Sequence, residues 1–598
     1  MKKTLSLLTV AFFITIILVS CSKKSEISDN QNGLSTKNNL VYWLLSDITK
    51  LIPYTTHDAY SGYVNQLLWE PLNSVNPRTQ DLIPWLASLP EISPDHLKYT
   101  YTINSAAKWS DGVPLTGEDI QFSFKTAMDP LLADASSLRN YLNSVDSISF
   151  VGGDKMKVAF YLNKPYFQMD RILGGGYVLI MPKHIFDKGG WTDKMSWADI
   201  KSLNPKTTGP MKDLADFIST NGIDRDPKNM IGSGPYIFKE WITNDHITVK
   251  RAAHYWSENM EWGEAYPEEM TFKTISDMNA AVTSLKAKDI DFMEIVNPPS
   301  NWLAIKQPYI KRDSVYYNTY AYLAWNKEKT IFKSKKVRWA LSHLINRDEI
   351  ISNIYKGLAM KVESPIIFTQ PDYYPGLKPI DFNVEEAKRL LAEEGWTDSD
   401  GDGILDKVID GKKVPFKFTF LTNAGNEVRK QVLLVVSEQL RKVGIQADVQ
   451  ALEFSVYLEN LFSHNFDACY AALSGNASED DPYQTFHSSQ VNNKGSNWHS
   501  FINAEADKLM EDHRMEFDFN KRKDMMKRFV EILYDEQPVT FLWSQPQLMA
   551  RVDRFDNVEL VHQRPCVIPA LWIVRGSGVK PKLGALSTLK ETADKYKE

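Results

Sequence analysis

An α/β fold is predicted by two features of the 598-residue sequence: runs of strand length in which apolar and polar residues alternate, and amphipathic runs of helix length set between them by short joints. The clearest unit begins at 416–421, Phe-Lys-Phe-Thr-Phe-Leu, which alternates as a half-buried strand does. Val428, Val432, Val435 and Leu440 then form one stripe of a helix predicted over 427–442, and Gly444 stands where a left-handed C-terminal cap is wanted. A second strand is predicted over 445–452. Strand, helix and strand with short joints make a βαβ unit, hence parallel pairing and a right-handed crossover.

Two further helices are marked by capping chemistry. Thr116 places a hydroxyl at an N-cap with the Asp119 carboxylate three residues on, which opens a helix through Met128. Asn383 caps a helix that runs through Glu394, with Gly395 as its stop.

The chain opens with Met1-Lys2-Lys3, an uncharged apolar stretch over 4–19, and then Ser20-Cys21. That is the layout of a secretory signal peptide, and the apolar run is shorter than the ~20 residues a bilayer-spanning helix needs. The small residue ahead of a lone cysteine resembles the bacterial lipobox, which makes Cys21 the expected lipidation site and residues 1–20 the leader. Residues 21–39 carry hardly any apolar side chain and are expected to form a flexible tether. What remains is too long for one hydrophobic core, so two or three domains are expected.

With 69 basic and 75 acidic side chains the net charge is −6, and no Lys/Arg-rich stripe appears, which argues against a nucleic-acid partner. Apart from Cys21 there are only Cys469 and Cys566, expected as buried free thiols. The sequence has no H-E-x-x-H, no C-x-x-C, no phosphate-binding glycine loop and no G-x-S-x-G elbow; Gly232-Ser233-Gly234-Pro235 half resembles the last, but its proline would block the helix that follows a nucleophile. No enzymatic activity and no cofactor are expected.

Asp398, Asp400, Asp402 and Asp406 match positions 1, 3, 5 and 9 of a calcium loop, with Gly403 at 6, but position 12 is Ile409 where a bidentate glutamate belongs. An Asp/Gly turn explains the same residues and is the preferred reading. Over 471–498, Glu479, Asp480 and Asp481 precede Pro482-Tyr483, and Asn497-Trp498 follow in a Gly/Ser/Asn-rich stretch. Acidic groups beside aromatics are suited to hold an ammonium group, although a solvated acidic loop has the same composition. Trp69, Trp85, Trp109, Trp241, Trp256, Trp325 and Trp339 sit in apolar or periodic contexts and are expected in the core, with Trp498 as the exception.

A series of short motifs runs along nearly the whole body: Glu70-Pro71-Leu72, Leu82-Ile83-Pro84-Trp85, Trp109-Ser110-Asp111-Gly112, Gly232-Ser233-Gly234-Pro235-Tyr236, His254-Tyr255-Trp256, Lys288-Asp289-Ile290-Asp291, Val337-Arg338-Trp339-Ala340-Leu341, Asn346-Arg347, Asp481-Pro482 and Ser496-Asn497-Trp498. In this order they resemble the family 5 extracellular solute-binding proteins, the oligopeptide-, dipeptide- and nickel-binding components of ABC importers. The resemblance implies a bilobed periplasmic-binding-protein fold of type II, with an extra domain and two crossover strands between the lobes. The implied division is 40–82, 230–295 and 535–598 for the first lobe, 83–229 for the extra domain and 296–534 for the second lobe.

The resemblance also implies a monomer that captures a peptide in the interlobe cleft, closes about a hinge and delivers its load to permease subunits, tethered to a membrane by its lipid anchor. In peptide-binding members an aspartate shortly before the Asp/Glu-Pro pair holds the α-amine; here that place falls at Ser478. Glu479 or Asp480 is then left to take the role, or the ligand is a non-peptide solute such as a nickel chelate or haem. A surface signalling lipoprotein on the same fold is a further alternative. Thr56 and His57, after the first strand, correspond to a loop that lines the cleft.

Overall fold

The structure, a computed structural model, describes residues 33–580 apart from 57, 203, 261, 476–478, 493 and 494. The expected leader, Cys21, His57 and Ser478 lie outside the described residues. Two large sheets organise the body. The first has seven strands in the order Ile310–Val315, Gln547–Val552, Phe292–Met293, Asn39–Leu44, Glu269–Thr274, His246–Arg251 and Tyr236–Ile242. Tyr42 pairs with Phe272 and Phe292 on neighbouring parallel strands, and the three rings pack at centroid distances of 5.3 and 5.0 Å from Tyr42.

The second sheet has six strands in the order Met360–Lys361, Val539–Ser544, Thr319–Trp325, Ala468–Ser474, Lys417–Asn423 and Gln446–Leu452. Every residue of Thr319–Trp325 is buried because both faces are covered. Ala321, Leu323 and Trp325 enter one core with the helix Glu427–Arg441, while Tyr320, Tyr322 and Ala324 enter another with the helix Phe519–Glu536. The expected βαβ unit is present: Lys417–Asn423 and Gln446–Leu452 pair in parallel through the helix between them, and Gly444 has φ +80°.

A third sheet, antiparallel, orders Glu91–Ile92, Lys98–Thr102, Asp154–Leu162 and Val145–Val151. Helix Gly117–Met128 lies against it, Phe124 meeting Phe160 at 4.8 Å, and both halves of the Thr116/Asp119 capping box form. Its core is continuous with that of the seven-stranded sheet, so these residues enlarge one lobe.

The chain passes between the two large sheets at 316–318 and again at 545–546. These crossovers differ from the divisions at 296 and 534 expected from sequence. Ile310–Val315 pairs with Gln547–Val552 in the first sheet, and Val539–Ser544 pairs with Thr319–Trp325 in the second. Strand partners so far apart in sequence leave no local mark of which lobe they join. The end of the expected tether also differs: Leu34 is 2% exposed in a cluster with Trp43 and Ala550, so it is packed on the body. Among the described residues no helix is long and apolar enough to cross a membrane.

Candidate ligand-binding site between the lobes

The acidic loop begins where strand Ala468–Ser474 ends beside the first crossover. Gly475 N donates to Asn318 O at 3.0 Å. A Cβ on Gly475 would lie 2.5 Å from Asn318 Nδ2, so the close approach needs glycine, and Asp480 Oδ1 is 3.4 Å from the same point. Asp480 is thereby placed at the hinge.

The three consecutive acids have different surroundings. Glu479 receives Arg522 Nη2 at 2.7 Å and Nε at 2.8 Å. Asp481 receives Arg514 Nε at 2.8 Å and the Tyr166 hydroxyl at 2.6 Å. Such charge-assisted pairs occupy both carboxylates. Half-buried Asp480 receives only the Asp481 backbone N–H, at 3.0 Å, among the described residues.

Burial pushes the Asp480 carboxyl up to about 6, with the Asp481 charge adding to the effect. Burial would raise Asp481 too, but Arg514 and the Tyr166 hydroxyl outweigh it and hold Asp481 below its ordinary value. Asp480 is thus the member of the trio without a cationic partner among the described residues.

Tyr166 belongs to the enlarged lobe, so its bond to Asp481 spans the cleft. Gln168 Nε2 donates to Glu479 O at 2.8 Å, and Phe167 N donates to Arg514 O at 2.9 Å. The Arg522 guanidinium lies 4.3 Å from the Phe167 ring centroid.

Several residues singled out from sequence make structural contacts. Asn497 is fully buried; its Nδ2 donates to Phe486 O, His487 O and Phe501 O, and its Oδ1 accepts from Phe501 N. Trp498, 6% exposed, packs against Phe462 in the second-lobe core, which corrects the expectation that it is the one tryptophan of the set outside the core. The Tyr483 ring stacks on His487 at 4.0 Å and carries the Arg514 guanidinium at 3.7 Å. Thr56 Oγ1 donates to Asp58, the N-cap of helix Ala59–Leu68.

At the calcium-like turn, Asp398, Asp400 and Asp406 do converge, but Lys413 Nζ sits 2.5 Å from Asp400 and 3.1 Å from Asp406. Asp398 accepts from Gly401 N and Gly403 N, and Asp402 from Ile404 N. The ammonium and the turn amides satisfy these carboxylates, in keeping with the turn reading. Cys469 and Cys566 are both buried and free, and burial pushes each thiol up to about 12.

Two side chains near the crossovers have no mark in the sequence. Arg429, in the first turn of helix Glu427–Arg441, borders a cavity of about 40 Å³ with Asn297, Tyr355, Tyr470, Trp543 and Gln545. It donates to Asn423 Oδ1 and forms no ion pair among the described residues. Asp372, in the segment between Met360–Lys361 and Val384–Glu393, is 2% exposed and lies in electrostatic range of Asp480 and Glu479. A larger cavity, about 320 Å³, lies in the first lobe and is walled by Tyr63, Trp85, Gly176, Arg564 and Ile568.

Comparison with known proteins settles the family. The model of the bacterial extracellular solute-binding proteins, family 5 Middle, matches residues 81–495. This chain belongs to that family. Among curated family 5 relatives, the oligopeptide-binding protein AppA of Bacillus subtilis is 31% identical over 575 residues, covering 93% of this chain and 96% of AppA. The dipeptide-binding protein of Escherichia coli is 23% identical, covering 82% and 85%. A solved structure of Bacillus subtilis AppA with a nonapeptide superposes with a TM-score of 0.75 at 29% identity, over 90% of this chain and 98% of that one. NikZ from Campylobacter jejuni, solved with Ni(L-His), shares the fold at TM-score 0.72 and 20% identity, over 90% and 99%.

The family 5 motifs read from the sequence hold the body together. Glu70 accepts from Trp85 Nε1 at 2.8 Å, Trp256 Nε1 at 2.9 Å and the Tyr255 hydroxyl, so three motifs meet at one carboxylate, which burial pushes up to about 7. A Cβ on Gly232 would stand 1.9 Å from Leu68 O, which explains glycine there without a nucleophile elbow. Arg338 is 1% exposed and donates to the carbonyls of Phe332, Lys333, Glu536 and Gln537.

Proposed function

We propose that this family 5 protein is the exported, lipid-anchored peptide-binding component of an ABC importer. The observation that carries the peptide reading is Asp480: a half-buried carboxylate at the hinge, without a cationic partner among the described residues, between two acids that each have an arginine. A peptide α-ammonium is a cation suited to that position, and it would shift the Asp480 proton equilibrium toward the carboxylate. Arg429, at the neighbouring cavity, is available to a peptide carboxylate. The relatedness to AppA, whose structure was solved with a nonapeptide, supports the same reading.

In this mechanism the protein makes and breaks no covalent bonds. Residues 316–318 and 545–546 let the lobes rotate, and ligand buried between them favours the closed form by its greater affinity for that form. Native mass spectrometry of the purified protein is expected to give a ladder of peptide masses; a single metal chelate or organic mass overturns the peptide reading. The anchor is assigned to Cys21, and Cys21→Ala is expected to move the protein from the membrane fraction to the soluble one. Unchanged fractionation would remove the lipoprotein assignment.

A further inference from the structure

At the same hinge as Asp480 the structure holds a second carboxylate that neither the fold nor the proposed amine contact uses. Asp372 is 2% exposed, and neither carboxylate oxygen takes a hydrogen bond from another described residue. In the same turn Gln370 Nε2 and Thr369 Oγ1 are buried and also without partners among the described residues. Four orphaned polar atoms in one turn are rare in a folded interior, where each costs free energy unless something completes it.

The turn is held at the hinge. Phe368 packs edge-on to Tyr316 of the first crossover at 5.5 Å. The charged groups that act electrostatically on Asp372 are Asp480 and Glu479 from the acidic loop and Lys523 from the helix Phe519–Glu536. Lys523 forms no ion pair with Asp372; its Nζ donates to Pro371 O at 3.2 Å. Glu479 is neutralised by Arg522. Asp372 and Asp480 are left as two carboxylates at the same crossover, the first through Phe368 against Tyr316 and the second through Gly475 against Asn318. Burial, reinforced by the Asp480 and Glu479 charges, pushes Asp372 up to about 7.

One ammonium neutralises one carboxylate, so an α-amine at Asp480 leaves Asp372 unanswered. We infer that Asp372, with Gln370 and Thr369 beside it, forms a subsite for a cationic side chain on the first residue of the peptide, lysine or arginine. This rests on the peptide reading above and adds to it a preference set by charge. The aliphatic stem of such a side chain tolerates burial, and its head group supplies the donors that Asp372 lacks.

The test compares Lys-Ala-Ala-Ala with norleucine-Ala-Ala-Ala, which keeps the stem and removes the side-chain ammonium, by calorimetry on the ligand-stripped protein. The wild type is expected to bind the lysine peptide at least about tenfold more tightly, a difference worth about 1.4 kcal/mol. Asp372→Asn is expected to bring the two peptides within about twofold while leaving norleucine-peptide affinity within about threefold of wild type. It is also expected to raise Tm, since a buried carboxylate without donors disfavours the folded state.

Equal affinity of the wild type for both peptides overturns the subsite, as does an equal loss of both in Asp372→Asn, which would make Asp372 an amine ligand. A fall in Tm, or failure to fold in both Asp372→Asn and Asp372→Ser, would make it a structural anchor instead. If neither peptide binds the wild type, the peptide reading fails and the subsite with it.

Discussion

Affinity for a free-amine peptide falls on the order of a hundredfold in Asp480→Asn, about 3 kcal/mol, because the substitution removes the charge of a hydrogen-bonded pair excluded from water. Calorimetry on ligand-stripped protein measures it, with an N-acetylated version of the same peptide as the second arm. The acetylated peptide is expected to bind the wild type about as weakly as the free peptide binds the variant. Equal wild-type affinity for both peptides takes the amine contact away from Asp480. Stability should not fall in Asp480→Asn, since a carboxyl raised above its unfolded value disfavours folding once it is ionised.

The same group sets a pH dependence. Burial pushes the Asp480 carboxyl up to about 6, so as pH falls through that value the amine must displace a proton. Affinity at pH 5 is expected to be about tenfold below that at pH 7.5, and Asp480→Asn should flatten the profile.

Arg554→Met is expected to cost about 3–5 kcal/mol, the usual loss when one partner of a buried ion pair is removed. Arg554 and Asp291 are 4% and 5% exposed and joined by two bonds of 2.6 and 2.7 Å. Asp291 also accepts from Val41 N, while Arg554 donates to Ser35 O, Lys37 O and Asn39 O. One pair thus fastens the N-terminal strand, so its loss should lower the Tm of the first lobe on the order of 10 °C in calorimetry. Asp291→Asn added to Arg554→Met should restore part of the loss, since it removes the stranded charge. A change below about 1 kcal/mol would show that the pair is dispensable.

What the sequence made legible was local. The Thr116 capping box, the stop at Gly444 and the alternation over 416–421 are set by a few adjacent residues, and each is where it was expected. The roles within the acidic trio depend on Arg514 and Arg522, more than thirty residues further on, which pair with Asp481 and Glu479 and leave Asp480 without a cationic partner among the described residues. Asn497 and Trp498 misled for the converse reason: their polar neighbours in sequence suggest exposure, but the surrounding carbonyls and Phe462 bury them. Asp372, a lone acid between Pro371 and Tyr373, has no pattern around it at all.

The bonds from Tyr166 and Gln168 to the acidic loop, and from Phe167 to Arg514, join the lobes without using any atom of a ligand. Each contributes to closure whether or not cargo is aboard, and cargo shifts the balance only by what it adds beyond them. An importer that responds to the closed shape would therefore answer some empty visits. The strength of this latch sets a compromise between holding dilute cargo long enough to deliver it and wasting transport cycles on an unloaded carrier.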